Sequence, residues 1–152
     1  MGLIRKAKLS DAKRIHELIT FWVKQRRVLD RPLNYIYENL RDFWVYTEDD
    51  KIVGCCALHV VGWDLLAEIK SLCVDEAMLG KGVGKQLVAK AIEEAVGLEI
   101  KKVFALTFVP EFFAKQGFKV IDRKELPHKI WSDCVNCVYF PDCQEHALIF
   151  AV

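Results

Sequence analysis

The chain opens with alternating apolar and basic positions over residues 3–9, the period of a half-buried strand. Ser10 and Asp11 then supply N-cap residues for a helix in which Ile15, Leu18, Ile19, Trp22 and Val23 recur at helical spacing. After Pro32 the pattern predicts a short second helix through residue 40. Residues 43–47 and 52–61 are aromatic or β-branched runs flanking the acidic turn Glu48-Asp49-Asp50-Lys51, so they read as a hairpin. Another strand covers 65–74. Gly80-Lys81-Gly82-Val83-Gly84 opens a helix with Leu87, Val88, Ala91, Ile92 and Ala95 on its apolar face, ending near Gly97. A strand at 102–108, a helix from Pro110 through 116 capped by Gly117, and strands at 118–121 and 147–152 complete the pattern. This order predicts an α/β domain with a mixed sheet. With no repeat or linker in view, a single domain over 1–152 is expected.

Composition narrows the function classes. Hydrophobic residues make up 53% and charged residues 28%, a globular balance that does not need a partner to fold. Lys plus Arg total 22 against 21 Asp plus Glu, so a net charge of +1 gives no general attraction to nucleic acid or anionic lipid. The N-terminus carries no signal-peptide pattern, and the longest apolar run, 52–63, is too short to span a bilayer. A cytoplasmic location is expected, and the aromatic-rich C-terminal tail is a candidate homodimer face.

The sharpest local chemistry is the segment 71–85, a strand, a turn and three alternating glycines flanked by Lys81 and Lys85 at a helix start. Glycines let backbone N–H groups approach a ligand, and the helix N-terminus adds its positive dipole end, which together suit a pyrophosphate. A Walker loop requires Ser or Thr after Gly84-Lys85, where Gln86 stands. A dinucleotide fingerprint requires Gly where Val83, Lys85 or Leu87 stand. The glycines also fit a bare turn before a helix.

The strand, glycine loop and helix resemble the acetyl-coenzyme A motif of the GNAT N-acetyltransferase superfamily, with Gly82 and Gly84 matching and Leu79 in place of the usual Gln or Arg. Ala67-Glu68-Ile69-Lys70-Ser71-Leu72-Cys73-Val74, Phe104-Ala105-Leu106-Thr107, Phe112-Phe113 with Gly117-Phe118, and Leu126-Pro127-His128-Lys129 resemble the stand-alone acetyltransferase form of N-acetylglutamate synthase. The resemblance covers residues 3–152 and implies a mixed, mostly antiparallel sheet flanked by helices. It further implies acetyl-CoA as cosubstrate, glutamate as acceptor, and a place at the first step of arginine biosynthesis.

Residue by residue, Glu68 reads on charge spacing alone either as an exposed strand carboxylate paired with Lys70 or as a base for the acceptor amine; the resemblance implies the base. A period of two places its side chain with Lys70 and Leu72. Backbone N–H groups near Leu72, Cys73 and Val74 are candidate oxyanion and pantetheine partners, and Leu79, Gly80, Lys81, Gly82, Val83, Gly84 and Lys85 form the candidate phosphate cradle. Phe113 stands four residues before Gly117, where many superfamily members carry a Tyr, so it offers an aromatic wall without an acid. Arg31, at a position where the resembling family has a substrate-contacting arginine, is the first candidate for the acceptor's carboxylates. Lys70 is the second and Thr107 a polar contact. Arg26, Arg27 and Arg41 read as solvated charges, and His16, His59 and His128 as isolated packing or surface residues. Two other readings remain: a GNAT enzyme for another amine, such as a different amino acid, a small molecule or a protein N-terminus, and a non-catalytic acetyl-CoA sensor, which Leu79 and Phe113 favour.

Six cysteines complete the inventory. Cys55, Cys56 and Cys73 lie in apolar strands and read as small buried hydrophobes. Cys134, Cys137, Cys143 and His146 carry the donor set of a Cys3His zinc site, but five residues between the pairs make a tight loop. Reduced structural thiols are the favoured expectation over zinc.

Overall fold

The computed structural model describes residues 2–61, 65–122, 125 and 146–152. Its elements follow the predicted order: strand Gly2–Lys6 (β1), helices Ala12–Lys24 (α1) and Leu33–Glu38 (α2), and strands Phe43–Glu48 (β2), Lys51–Val61 (β3) and Leu66–Val74 (β4). Helix Val83–Gly97 (α3), strand Lys102–Thr107 (β5), helix Pro110–Lys115 (α4) and strands Lys119–Ile121 (β6) and His146–Ala151 (β7) follow. The first strand stops at Lys6, short of the expected residue 9, because residues 9–11 turn as a 3-10 helix before α1. Asp11 closes that corner: its carboxylate accepts from the Lys8 N–H at 2.7 Å and from the Arg5 guanidinium at 2.7 and 3.2 Å.

The strands form one sheet in the order β1-β2-β3-β4-β5-β7-β6. Every neighbouring pair is antiparallel except β4 and β5, which α3 joins as a parallel crossover. The mixed, mostly antiparallel sheet is the expected one.

Each face carries its own apolar layer. On one side Ile15 and Ile19 of α1 and Ile36 of α2 pack on Phe43, Val45, Cys55, Ala57 and Cys73. On the other, Val83, Leu87, Val88 and Ala91 of α3 pack on Leu58, Ile69 and Val103. Gly54 lets α3 come this close, since a Cβ there would lie 2.9 Å from Val83 Cγ1 and 3.1 Å from Leu87 Cδ1. The absence of one side chain in β3 thereby fixes where the first turn of α3 rests.

Candidate active site

The site is built where β4 leaves β5. Their ladder pairs Leu66, Ala67 and Glu68 with Lys102, Val103 and Phe104 and extends no further, although β4 runs on to Val74 and β5 to Thr107. Beyond that point the two strands part as a wedge with Glu68 at its apex. Among the described residues no strand fills the wedge, so its edges offer backbone donors and acceptors to a ligand.

A second irregularity shapes the same strand. β3 and β4 stay in register to Ala57↔Lys70 and resume at Cys55↔Cys73, so Cys56 opposes both Ser71 and Leu72, a β-bulge. Ser71 adopts φ 55°, a left-handed conformation that side chains disfavour, and its carbonyl accepts from the Cys55 thiol at 3.4 Å. The extra residue reverses the alternation. Lys70 and Cys73 share the face toward α1 and α2 with Glu68, while Leu72 turns to the α3 face beside Ile69 and Val74. The expected grouping of Leu72 with Glu68 and Lys70 is thus corrected by the bulge.

At the end of β4 the chain is tied to α1. Trp22 of α1 donates its indole N–H to the Val74 carbonyl at 2.8 Å, and Arg14 binds the Ile52 carbonyl at 3.0 Å and Asp75 at 2.8 Å. Asp75 in turn accepts from the Ala77 N–H at 3.0 Å. Gly80 and Gly82 then take φ 76° and 82°, which favour glycine, and a Cβ on Gly80 would meet nothing within 4 Å. The N–H groups of Val83, Gly84 and Lys85 open α3 without intrahelical acceptors, and the helix dipole adds positive potential. Lys81 and Lys85 are exposed beside them, and Leu79 is 51% exposed. An anion fits this cradle of open backbone.

The aromatic neighbour of the cradle is Phe112, which pattern reading missed: a Cβ on Gly84 would lie 3.3 Å from its ring. Phe113 is buried in the core instead, edge-on to Phe112 and Phe118 at 5.2 Å each. The expected wall residue is therefore a packing residue one position from the ring that faces the loop.

On the α1 and α2 side, Tyr35 gathers the two expected cations. Arg31 Cζ lies 5.1 Å and Lys70 Nζ 5.2 Å from its ring centroid. The Tyr35 hydroxyl and Arg31 Nε are buried with no protein hydrogen-bond partner among the described residues. Leaving such groups unsatisfied costs about 1–3 kcal/mol each, which an anionic ligand would offset. Tyr35 has a sequence signal only in retrospect, as the residue one helical turn after Arg31.

Thr107 does not join this group. The β4–β5 register puts it on the α3 face with Val103 and Ala105, where it is buried and its hydroxyl accepts from the Val109 N–H at 3.0 Å. His59, expected to be isolated, instead has Nδ1 2.7 Å from Asp42 Oδ2 and lies opposite Glu68 across β3 and β4.

Cys56 and Cys73 are buried thiols held in the protonated form. Burial pushes the Cys56 thiol far up, and a hydrogen bond with Cys55 together with burial holds Cys73 well above the ordinary thiol range. Cys134, Cys137 and Cys143 lie outside the described residues; His146 is exposed at the start of β7, and among the described residues no His, Cys, Asp or Glu group is arranged for a metal. No described helix is long and apolar enough to cross a membrane.

Comparison with known proteins agrees with this architecture. The model of the acetyltransferase (GNAT) family matches residues 9–118. An uncharacterised N-acetyltransferase of Chlorobaculum tepidum is 38% identical over 148 residues, 96% of this chain and 94% of that protein. The amino-acid acetyltransferase of Mycobacterium tuberculosis is 36% identical over 134 residues, 86% of this chain and 76% of that one. Among solved structures, N-acetylglutamate synthase from Neisseria gonorrhoeae, complexed with coenzyme A and N-acetyl-glutamate, superposes with a TM-score of 0.90 at 29% identity. That likeness covers 99% of this chain and 35% of the longer synthase. With the family model spanning most of its length over a matching fold, the chain belongs to the GNAT family of acetyltransferases.

Proposed function

We propose that the protein transfers the acetyl group of acetyl-CoA to the α-amine of L-glutamate. The observation that carries this reading is the convergence of Arg31, Lys70 and the Tyr35 hydroxyl, which has no partner among the described residues, on the sheet face that Glu68 shares. Two cations and a buried donor suit an acceptor with two carboxylates, and Arg meets a carboxylate with paired bonds. The similar Neisseria gonorrhoeae and Mycobacterium tuberculosis enzymes support an amino-acid acceptor.

The geometry supports the following division of labour. The N–H groups at the start of α3 and the Gly80–Gly82 turn hold the diphosphate of the cosubstrate, and the parted edge of β4 carries its arm toward Glu68. The thioester supplies an activated acetyl group. Glu68 accepts a proton from the acceptor ammonium, directly or through one water, and frees the nitrogen lone pair for attack. Backbone N–H groups around the bulge at Ser71 and Leu72 donate to the carbonyl oxygen as negative charge develops there; the adduct then collapses as the C–S bond breaks, and the sulfur takes the nitrogen's second proton and leaves as the free thiol of coenzyme A.

A panel of amines with acetyl-CoA, read by release of free thiol, tests the proposal. Turnover should rise with L-glutamate well above that with aspartate, glutamine, polyamines or an N-terminal peptide. Equal turnover without any amino acid, or preference for a cationic amine, would overturn it.

A further inference from the structure

A base that takes one proton per turnover must also lose it, and the structure offers Glu68 an outlet. His59 is its direct cross-strand partner. Such partners share a face with Cβ atoms about 4.5–5.5 Å apart, within reach of a hydrogen bond or one bridging water. His59 Nδ1 lies 2.7 Å from Asp42 Oδ2. In the neutral ring with Asp42 as acceptor, Nδ1 carries the hydrogen of this bond and Nε2 offers its lone pair. The imidazole is 36% accessible and the Asp42 carboxylate 26%, so both groups reach solvent on the row that holds the half-buried Glu68. Lys70, two residues along β4, and Arg41, beside Asp42, are the other charges nearest this row in the chain.

We propose that Asp42 and His59 form the proton exit of the reaction, His59 acting as a relay residue and Asp42 as its positioning partner. The inference rests on the reading of Glu68 as the acceptor's base. In the first transfer an ammonium N–H bond breaks and a Glu68 O–H bond forms. In the second, that O–H bond breaks as His59 Nε2 gains the proton, and the imidazolium, held by Asp42, passes it to water. No electrons change hands and Glu68 returns to its ionised form. An imidazole suits this place because one ring nitrogen can take the proton while the other keeps the bond to Asp42.

Steady-state kinetics on the full chain with glutamate and acetyl-CoA, with and without added imidazole, test the idea. His59→Ala should lower kcat about 10-fold or more with both KM values little changed, and free imidazole should restore part of the loss. His59→Gln, which keeps the bulk and the bond to Asp42, should be equally slow, and Asp42→Asn should lose less. Glu68→Gln should lose about 10²–10⁴-fold and gain nothing from imidazole. Wild-type kcat in both His59 variants, or a loss that imidazole leaves untouched, beside an impaired Glu68→Gln would overturn the relay alone. Wild-type rates in Glu68→Gln would overturn the underlying assignment and the relay with it.

Discussion

Arg31 and Lys70, one ahead of α2 and the other in the middle of β4, approach the same ring: Arg31 Cζ lies 5.1 Å and Lys70 Nζ 5.2 Å from the centroid of Tyr35. The segment before α2 and the sheet thus deliver two positive charges to one place that 38 residues of intervening sequence keep apart. If this is the acceptor pocket, Arg31→Ala and Lys70→Ala each raise the glutamate KM about 10–100-fold, the value of one charge-assisted hydrogen bond. Tyr35→Phe gives a smaller rise. Acceptor titrations at saturating acetyl-CoA measure this, and unchanged KM values would place the acceptor elsewhere.

The glycine loop gives a complementary prediction on the other substrate. Gly82 sits at φ 82° where α3 begins, so Gly82→Val strains the backbone by about 1–3 kcal/mol and tilts the N–H groups that follow. Its acetyl-CoA KM should rise about 10-fold or more while the glutamate KM holds. Coenzyme A titration by calorimetry checks the loss directly.

Ser71 ties backbone strain to chemistry. At φ 55° a β-branched side chain is worse tolerated than Ser, so Ser71→Val should destabilise the fold by about 1–3 kcal/mol and lower kcat by disturbing the bulge. Ser71→Gly relieves the strain and should keep the wild-type melting temperature or raise it. Thermal melts of the two variants separate these outcomes.

The corner before α1 predicts an acid-sensitive element. The hydrogen bond from Arg5 holds the Asp11 carboxyl below its ordinary range. A depressed native value means that the stabilisation is fully present above the unfolded carboxylate pKa of about 3.9 and is lost as pH falls through the lower native value. Asp11→Asn should therefore cost about 1–3 kcal/mol at neutral pH, with a gap to wild type that closes below about pH 4. Urea melts at several pH values read the gap.

The element order was legible because each segment carries one clear period and one clear stop: the Ile15, Leu18, Ile19 stripe of α1, the Gly54-containing apolar run of β3, and Pro110 and Gly117 bracketing α4. The glycine loop was legible because backbone conformation at Gly80 and Gly82 demands a specific residue type. The bulge was not, since Ser71 gives no local sign that β4 holds one more residue than β3 needs, and that single residue moved Leu72 to the other face. Tyr35, Phe112 and the Asp42–His59 pair escaped for a related reason: their roles come from cross-strand and helix-to-sheet proximity, which no local period encodes. Thr107 was misgrouped because its face depends on the β4–β5 register, which is set at Glu68↔Phe104.

The most direct test of the whole account is a crystal structure of the protein with coenzyme A and glutamate. The account predicts the diphosphate against the amides of residues 80–85, the thiol in the wedge beside Glu68, and both glutamate carboxylates within bonding distance of Arg31, Lys70 or Tyr35. Coenzyme A seated away from that loop, or glutamate on the α3 face, would contradict it.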